Sequence, residues 1–261
     1  MAHSKDSALA FALSTWSDWE VSLKNEPLVV KALTGGLTNR TFLLDVEDRS
    51  IVLRIGSAES KLLGIDRVRE QGVLRLIADS GLAPKMIYFG LQTGQLVTEH
   101  VAGLHWKPNE LSHSDRLERL TDLLRQVHRI QGDLPDFDYA AHIEHYYQHL
   151  LRRGAVDDSV KGLYQTATAG LEYLSFIYRD QPRVLCHHDP GPLNLIESDE
   201  GKLVLLDWEY AGAGWPVMDQ VALSRQWRLP ASVFPMPREA LSAASSIWDF
   251  IDGAWYRLNS L

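Results

Sequence analysis

The chain has 261 residues, 45% of them apolar and 23% charged, with 34 acidic against 26 basic side chains and a net charge of −8. This composition describes a globular protein long enough for one large domain or two lobes, and its acidic balance excludes nucleic acid as the main partner, because binding a phosphate backbone needs a basic face. A single cysteine, Cys186, rules out an intrachain disulfide, no apolar run approaches a membrane span and the N-terminus has no leader pattern; the expected location is cytoplasmic, without a membrane partner.

Residues 6–20 read as a short amphipathic helix, and three strand-like stretches follow, Leu28 to Leu33, Arg40 to Val46 and Ile51 to Ile55. The first turn, Leu33-Thr34-Gly35-Gly36-Leu37-Thr38-Asn39, brings glycines that let backbone approach a phosphate closely, and Thr and Asn side chains that can bind its oxygens. A Gly-Gly turn is equally an ordinary hairpin connection. One strand later Arg54 sits among apolar residues and shares a strand face with Val52, so that face is expected to be partly buried and Arg54 to need an acidic partner. Glu70 is the best candidate, with Glu59 and Asp66 as alternatives. Glu70 falls in a helix predicted over 62–79, with Gly81 where a C′ glycine would stand. Strands over Lys85 to Phe89 and Gln95 to Glu99 complete an antiparallel sheet with one helix in a first lobe, residues 1–100. Residues 101–108 have Gly and Pro without a clear period and read as a hinge or crossover. The second lobe, residues 101–261, turns helical, with helices predicted over 114–130, 141–152, 156–178, 216–229 and 237–258. In the last of these Ile247, Trp248, Phe250, Ile251, Trp255 and Tyr256 form a stripe that reads as core.

The segment Val184–Trp208, VLCHHDPGPLNLIESDEGKLVLLDW, carries the chemistry. An apolar strand delivers His187, His188 and Asp189 into a loop, Asn194 follows, and a second strand, Leu203 to Leu206, delivers Asp207. The pattern H-x-D-x-x-x-x-N, strand, Asp resembles the catalytic and metal-binding loops of the protein-kinase-like superfamily. That resemblance implies Asp189 as the group that accepts the substrate hydroxyl proton, and Asn194 and Asp207 as magnesium ligands. The residue types suit phosphoryl transfer. Magnesium on a nucleotide triphosphate keeps several waters and needs few hard oxygen ligands, and a hydroxyl nucleophile must be oriented and deprotonated by a nearby carboxylate. Two other readings stand beside it. PGPLN can be a plain hairpin turn, and His187, His188, Asp189 and Asp207 are all ligand types for a metal-dependent hydrolase, although no H-E-x-x-H, cysteine cluster or second ligand group accompanies them. His188 can be solvated, bonded to backbone or in contact with substrate.

Seven segments in this order, LTGGLTNRTF (33–42), IVLRI (51–55), DRVRE (66–70), LVTEHVAG (96–103), LLRQVHRI (123–130), CHHDPGPLN (186–194) and LLDWEYAG (205–212), resemble the aminoglycoside-phosphotransferase-like kinases. Within them the chain is most similar to the choline/ethanolamine kinase and thiamine kinase branch, because Arg54 stands where antibiotic kinases generally have Lys. The resemblance implies an α+β, two-lobed protein-kinase-like fold, with a small antiparallel-sheet N-lobe and a larger, mainly helical C-lobe, and ATP and Mg2+ as cofactors. It places Thr34, Gly35, Gly36, Asn39, Arg54 and Glu70 around the phosphates, and the hinge backbone near Glu99, His100 and Val101 against adenine. His187 would buttress the catalytic loop, and His128 would pack or cap a helix. The acceptor would be a hydroxyl on a small, cationic metabolite, choline-, ethanolamine- or thiamine-like. Trp208, Glu209, Tyr210, Trp215 and Asp219 cluster after the metal aspartate and suit such a cation, or else pack the core. Choline kinases tend to carry an acid shortly after the aspartate matching Asp219, where this chain has Ser224, Arg225 and Gln226, and the C-terminal helical segment is short for a substrate wall. An amino-sugar or aminoglycoside kinase and a catalytically silent binding module are the alternative functions.

Overall fold

Alternating apolar residues build the first sheet. β1 (Leu28–Leu33) is an exposed edge strand, and in β2 (Arg40–Val46) and β3 (Arg49–Ile55) the inward side chains Phe42, Leu44, Val46, Ile51, Leu53 and Ile55 pack with Ala12 of α1 (His3–Ser14) and with Trp19, while Val52 and Arg54 face the other way. After α2 (Arg67–Leu76), the strands β4 (Met86–Gly90) and β5 (Gln95–Glu99) complete an antiparallel sheet of order β1-β2-β3-β5-β4. The computed structural model describes residues 3–19, 23–33, 38–112 and 114–260.

Most predicted elements stand, and the shifts have local causes. The helix predicted over 62–79 begins only at Arg67, because the Asp66 side chain accepts from the Val68 and Arg69 N–H groups and so caps it, while Gly64 before it has φ 68°. Capping by Asp138 and Asp157 likewise sets the starts of α4 (Tyr139–Arg152) and α5 (Asp158–Ile177), which follow α3 (Ser114–His128). The segment expected to be a hinge contains a two-residue strand, β6 (Gly103–Leu104), paired with β8 (Leu195–Ser198), which pairs in turn with β9 (Leu203–Leu205). Gly103 is required there, since a Cβ would lie 2.1 Å from the Glu197 carbonyl oxygen. A second small sheet joins β7 (Val184–Cys186) to β10 (Gly212–Gly214), and α6 (Pro216–Trp227) and α7 (Arg238–Ser260) close the chain.

The mainly helical lobe has a core of residues from α4, α5, α6 and α7, centred on Tyr146, Leu174, Val221 and Ile247. A further apolar cluster runs from Val73, Leu74 and Ile77 of α2 into Leu120, Leu124 and Val127 of α3, Leu185, Leu195, Leu205 and Trp208. The α+β protein thus has a sheet-bearing and a helical lobe that share packing along α2, which seats the acid of α2 beside the loops of the C-lobe. Among the described residues no helix is long and apolar enough to cross a membrane.

Candidate active site

β7 ends in a loop whose backbone is held by one carboxylate. Asp219, on α6, is fully buried and accepts from the His187 N–H at 2.9 Å, the His188 N–H at 2.7 Å and His128 Nε2 at 3.0 Å. The double backbone contact holds His188 in the left-handed region, φ 66°, a costly conformation for a non-glycine residue. Burial alone would raise the Asp219 carboxyl, but His128 and the other donors lower it to about 2. His187 accepts from the Asp189 N–H at 3.2 Å through Nδ1 and donates to the Leu206 carbonyl at 2.9 Å through Nε2, so the ring ties the catalytic loop to the segment before Asp207. His187 stands where the resemblance implies a buttress, whereas His128, expected to pack or cap a helix, bonds Asp219 instead.

Asp189 is held on both carboxylate oxygens. Asn194 Nδ2 donates to Oδ2 at 2.7 Å and to the Asp189 carbonyl at 2.9 Å, and Gln226 Nε2 donates to Oδ1 at 2.7 Å. With its nitrogen committed to Asp189, the amide of Asn194 keeps its oxygen for another ligand. Across from it Asp207, also left-handed at φ 56°, accepts from Arg54 Nη1 at 3.1 Å.

The partner of Arg54 is Glu70. The two meet at 2.6 Å (Nη1 to Oε1) and 2.9 Å (Nη2 to Oε2), with Glu70 fully buried. Of the alternatives, Asp66 is spent on capping α2. Burial works against ionisation of Glu70, yet Arg54 and Arg67 hold its carboxyl below the usual range. Arg67 Nη1 lies 2.6 Å from Glu70 and 3.0 Å from Glu209, and Asn39 Nδ2 donates to Glu209 at 2.8 Å. Burial raises the Asp207 carboxyl well above its ordinary value, Glu209, Glu70 and Asp189 add to this, and Arg54 opposes them. An excess of acids over bound cations in one place, with an amide oxygen and a carboxylate as hard donors, fits a divalent cation held by Asn194 and Asp207.

Two cavities meet at these residues. One, of about 620 Å³, lies under the sheet and is lined by Asn39, Val52, Arg54, Leu96, Glu99 and Val101 among others. The other, of about 410 Å³, opens toward the helical lobe and is lined by Asp189, Glu209, Tyr210, Trp248, Asp252 and Trp255 among others. Leu193, Asn194 and Asp207 line both. Thr34, Gly35 and Gly36 lie outside the described residues.

Three of the residues read as substrate contacts stand elsewhere. Trp208 is buried in the lobe's core, its ring 4.6 Å from His187 and its Nε1 donating to the Leu205 carbonyl, and it borders only the cavity under the sheet. Trp215, the residue just before α6, stacks on Tyr139 at 5.2 Å and has the Arg183 guanidinium over its ring, inside the core. Asp219 has both oxygens occupied by loop N–H groups. Glu209 and Tyr210 do reach the second cavity. The stripe on α7 read as core is core at Ile247, Trp248, Phe250 and Ile251, and two of these, Trp248 and Ile251, also line the cavity together with Asp252, Trp255 and Tyr256. An acid inside an aromatic stripe at helical spacing was the available signal, so α7 does supply a wall. His188 borders this cavity, but its ring bonds the Tyr210 carbonyl through Nδ1 at 2.9 Å and Tyr139 Oη through Nε2 at 2.6 Å.

Burial lowers the pKa of His188 to about 4 and of His142, beneath the same cavity, to about 3. In the unfolded chain both return to about 6.5, so the unfolded state binds protons more tightly and stability falls as pH drops from about 6.5 toward 4. The urea midpoint is expected to be clearly lower at pH 5 than at pH 7, because each tenfold difference in proton affinity between the folded and unfolded chain is worth about 1.4 kcal/mol. His142→Phe should flatten this dependence. A midpoint independent of pH would refute neutral burial of the two rings.

Residues 29–258 match the phosphotransferase enzyme family, APH. Ethanolamine kinase 2 of Mus musculus is 28% identical over 227 residues, 82% of this chain and 57% of that protein, so the chain spans little more than half the length of the curated relatives it matches. Among solved structures, choline kinase LicA from Streptococcus pneumoniae superposes with a TM-score of 0.75 at 21% identity, covering 88% of this chain and 86% of that one. A thermostable mutant of aminoglycoside phosphotransferase APH(4)-Ia gives 0.58 at 19% identity, covering 90% and 94%. At these identities the solved structures bear on the fold, which is the two-lobed one expected from the loop motifs. With the family match extending from β1 into α7 and across both cavities, this chain belongs to the APH phosphotransferase enzyme family.

Proposed function

We propose that the protein is an ATP- and magnesium-dependent kinase that phosphorylates a hydroxyl on a small cationic amino alcohol of the ethanolamine or choline type. The observation that carries this reading is the meeting of two cavities at Asn194 and Asp207, with a doubly held carboxylate, Asp189, on the second. The nucleotide takes the cavity under the sheet. The N–H groups of Glu99 and His100 are already bonded to the carbonyls of Lys85 and Ser50, so the Val101 N–H is the hinge donor left for adenine. Arg54, fixed by Glu70, contacts phosphate oxygens, and Thr34, Gly35, Gly36 and Asn39 keep the phosphate-binding role that the glycine-bearing segment suggests in the sequence. Magnesium held by Asn194 and Asp207 neutralises charge on the transferring phosphoryl group. The acceptor lies in the second cavity with its hydroxyl on Asp189, which takes the proton as the bond from that oxygen to the γ-phosphorus forms and the bond from the γ-phosphorus to the β–γ bridging oxygen breaks, releasing ADP. Trp248, Trp255 and Tyr210 offer ring faces to an ammonium group, and Asp252 and Glu209 supply negative charge beside them. Ethanolamine and choline kinases among the similar proteins support this choice of acceptor.

A coupled assay of ADP release with ethanolamine, choline, thiamine, amino sugars and aminoglycosides, run beside thermal shifts, tests the proposal, since a ligand that prefers the folded state raises Tm. Magnesium-dependent turnover with a small amino alcohol is expected. Turnover with an aminoglycoside alone would move the chain to the antibiotic kinases, and nucleotide binding without turnover of any acceptor would make it a binding module.

Arg54 and Glu70 are expected to act as a unit, so losses of kcat/KM in Arg54→Ala and Glu70→Ala should be strongly non-additive in the double variant. Arg54→Lys keeps the charge but loses the two-pronged contact with Glu70, and should not be neutral. Additive losses, or full activity with Lys, would show that a point charge suffices.

A further inference from the structure

Gln226 occupies the last turn of α6, close to where choline kinases tend to carry an acid, and it faces the catalytic loop. Its Nε2 donates to Asp189 Oδ1 at 2.7 Å, and the next residue, Trp227, is buried and donates from Nε1 to the Pro190 carbonyl at 2.7 Å. The end of α6 therefore grips Asp189 and Pro190 together. The amide orientation follows from charge: turning Gln226 over would set its oxygen against a carboxylate oxygen, so the nitrogen faces Asp189 and Oε1 faces away. That oxygen is buried and has no hydrogen-bond partner. It lies against Gly191, where a Cβ would stand 2.3 Å from it. Gly191 has φ −81°, which any residue adopts, so what the glycine supplies is space for the Gln226 amide.

We infer that Gln226 is a positioning residue, whose amide fixes the rotation of the Asp189 carboxylate from the side opposite Asn194, and that Gly191 makes room for it. The inference rests on the role proposed for Asp189 in phosphoryl transfer. A carboxylate held only by Asn194 turns about its Cβ–Cγ bond, and the oxygen that should meet the acceptor hydroxyl spends less time in line. With Oδ2 on Asn194 and Oδ1 on Gln226, both angles are set before substrate arrives. A glutamate at 226 has no such donor at neutral pH and would repel Asp189, so an amide here trades a negative charge near the acceptor cavity for a rigid base. Burying one unsatisfied amide oxygen is the cost of that arrangement.

Gln226→Met keeps the length and apolar bulk of the side chain but lacks the donor, and Gln226→Glu keeps the shape but donates nothing when ionised. Both are expected to lower kcat roughly ten- to a hundredfold, as for misplaced catalytic groups, with KM for ATP and Tm little changed. Gly191→Ala should lower kcat in the same way by displacing the amide. In a Gln226→Ala background, where the space is free, Gly191→Ala should cost less than about twofold further. A second readout needs no catalysis: the 15N–1H signals of the Gln226 side-chain amide should move when Asp189→Asn removes the charged acceptor. Wild-type kcat in Gln226→Met, additive losses for positions 191 and 226, or an amide signal indifferent to Asp189→Asn would overturn the inference. Should the wild-type chain turn over no acceptor while the amide signal still responds to Asp189→Asn, the kinase reading fails and the contact stands.

Discussion

Asp189→Asn is expected to lower kcat by at least about 100-fold, the scale of a general base, while Kd for magnesium-ATP stays near its wild-type value. The carboxylate receives hydrogen bonds from Asn194 and Gln226 and makes none of the contacts of Arg54, Glu70 or Asp207. Asparagine in its place accepts on one atom only, and its NH2 group confronts the donor on the other side, so the base is lost and the hydroxyl loses its alignment. Steady-state kinetics with titration calorimetry of the nucleotide separates the two effects. Near-normal kcat would remove Asp189 from the chemistry, and loss of nucleotide binding would show that it also shapes the metal site.

Asp207→Asn is expected to weaken both magnesium-dependent ATP binding and turnover, the latter by roughly a thousandfold, which corresponds to about 4 kcal/mol of transition-state stabilisation. Asparagine is the suitable replacement, because Asp207 has φ 56° and asparagine tolerates that region better than alanine does. The substitution therefore tests charge rather than backbone strain. It also deprives Arg54 of an ion pair at 3.1 Å, but Glu70 at 2.6 Å still holds the guanidinium. Asn194→Ala should disturb ground-state nucleotide binding less, since it supplies an uncharged oxygen. Wild-type affinity for magnesium-ATP in Asp207→Asn would show that the cation is held elsewhere.

The antiparallel sheet and the C-lobe helices were legible because their signals are local: strand-like apolar runs between turns in β1 to β3, a helical period in the C-lobe segments, and a strand leading into the H-x-D loop, whereas the starts of α2, α4 and α5 were set by aspartate caps. The order Asp189, Asn194, Asp207 was legible for a related reason. The three residues fall within one short stretch, Asp189 and Asn194 in the connection between β7 and β8 and Asp207 just after β9, so their spacing in the chain limits their spacing in space. The pairing of Arg54 with Glu70 could be narrowed from the sequence to three acids, and the need for a partner followed from an arginine on a strand face shared with an apolar residue.

The acceptor cavity was not legible in this way. Trp208, Trp215 and Asp219 follow Asp207 closely in the chain, and adjacency suggested a shared pocket. The fold instead turns Trp208 onto His187, stacks Trp215 on Tyr139, and spends Asp219 on the N–H groups of the catalytic loop. The wall that does face Asp189 comes from α7, more than fifty residues further along the chain, where Trp248, Asp252 and Trp255 share one helical face. A helical period marks which residues lie on one side of a helix, yet carries no record of whether core or a cavity will face that side. Gln226 posed the same difficulty. By itself the sequence determined the strands of the first sheet, the strand that holds Arg54 and the strand that delivers His187, His188 and Asp189 into their loop, since each depends on residues a few positions apart. Only the tertiary structure decided which aromatics line the cavity and that Gln226 reaches Asp189, because those contacts depend on how α6 and α7 pack across the loop, and packing is settled by the whole apolar core together.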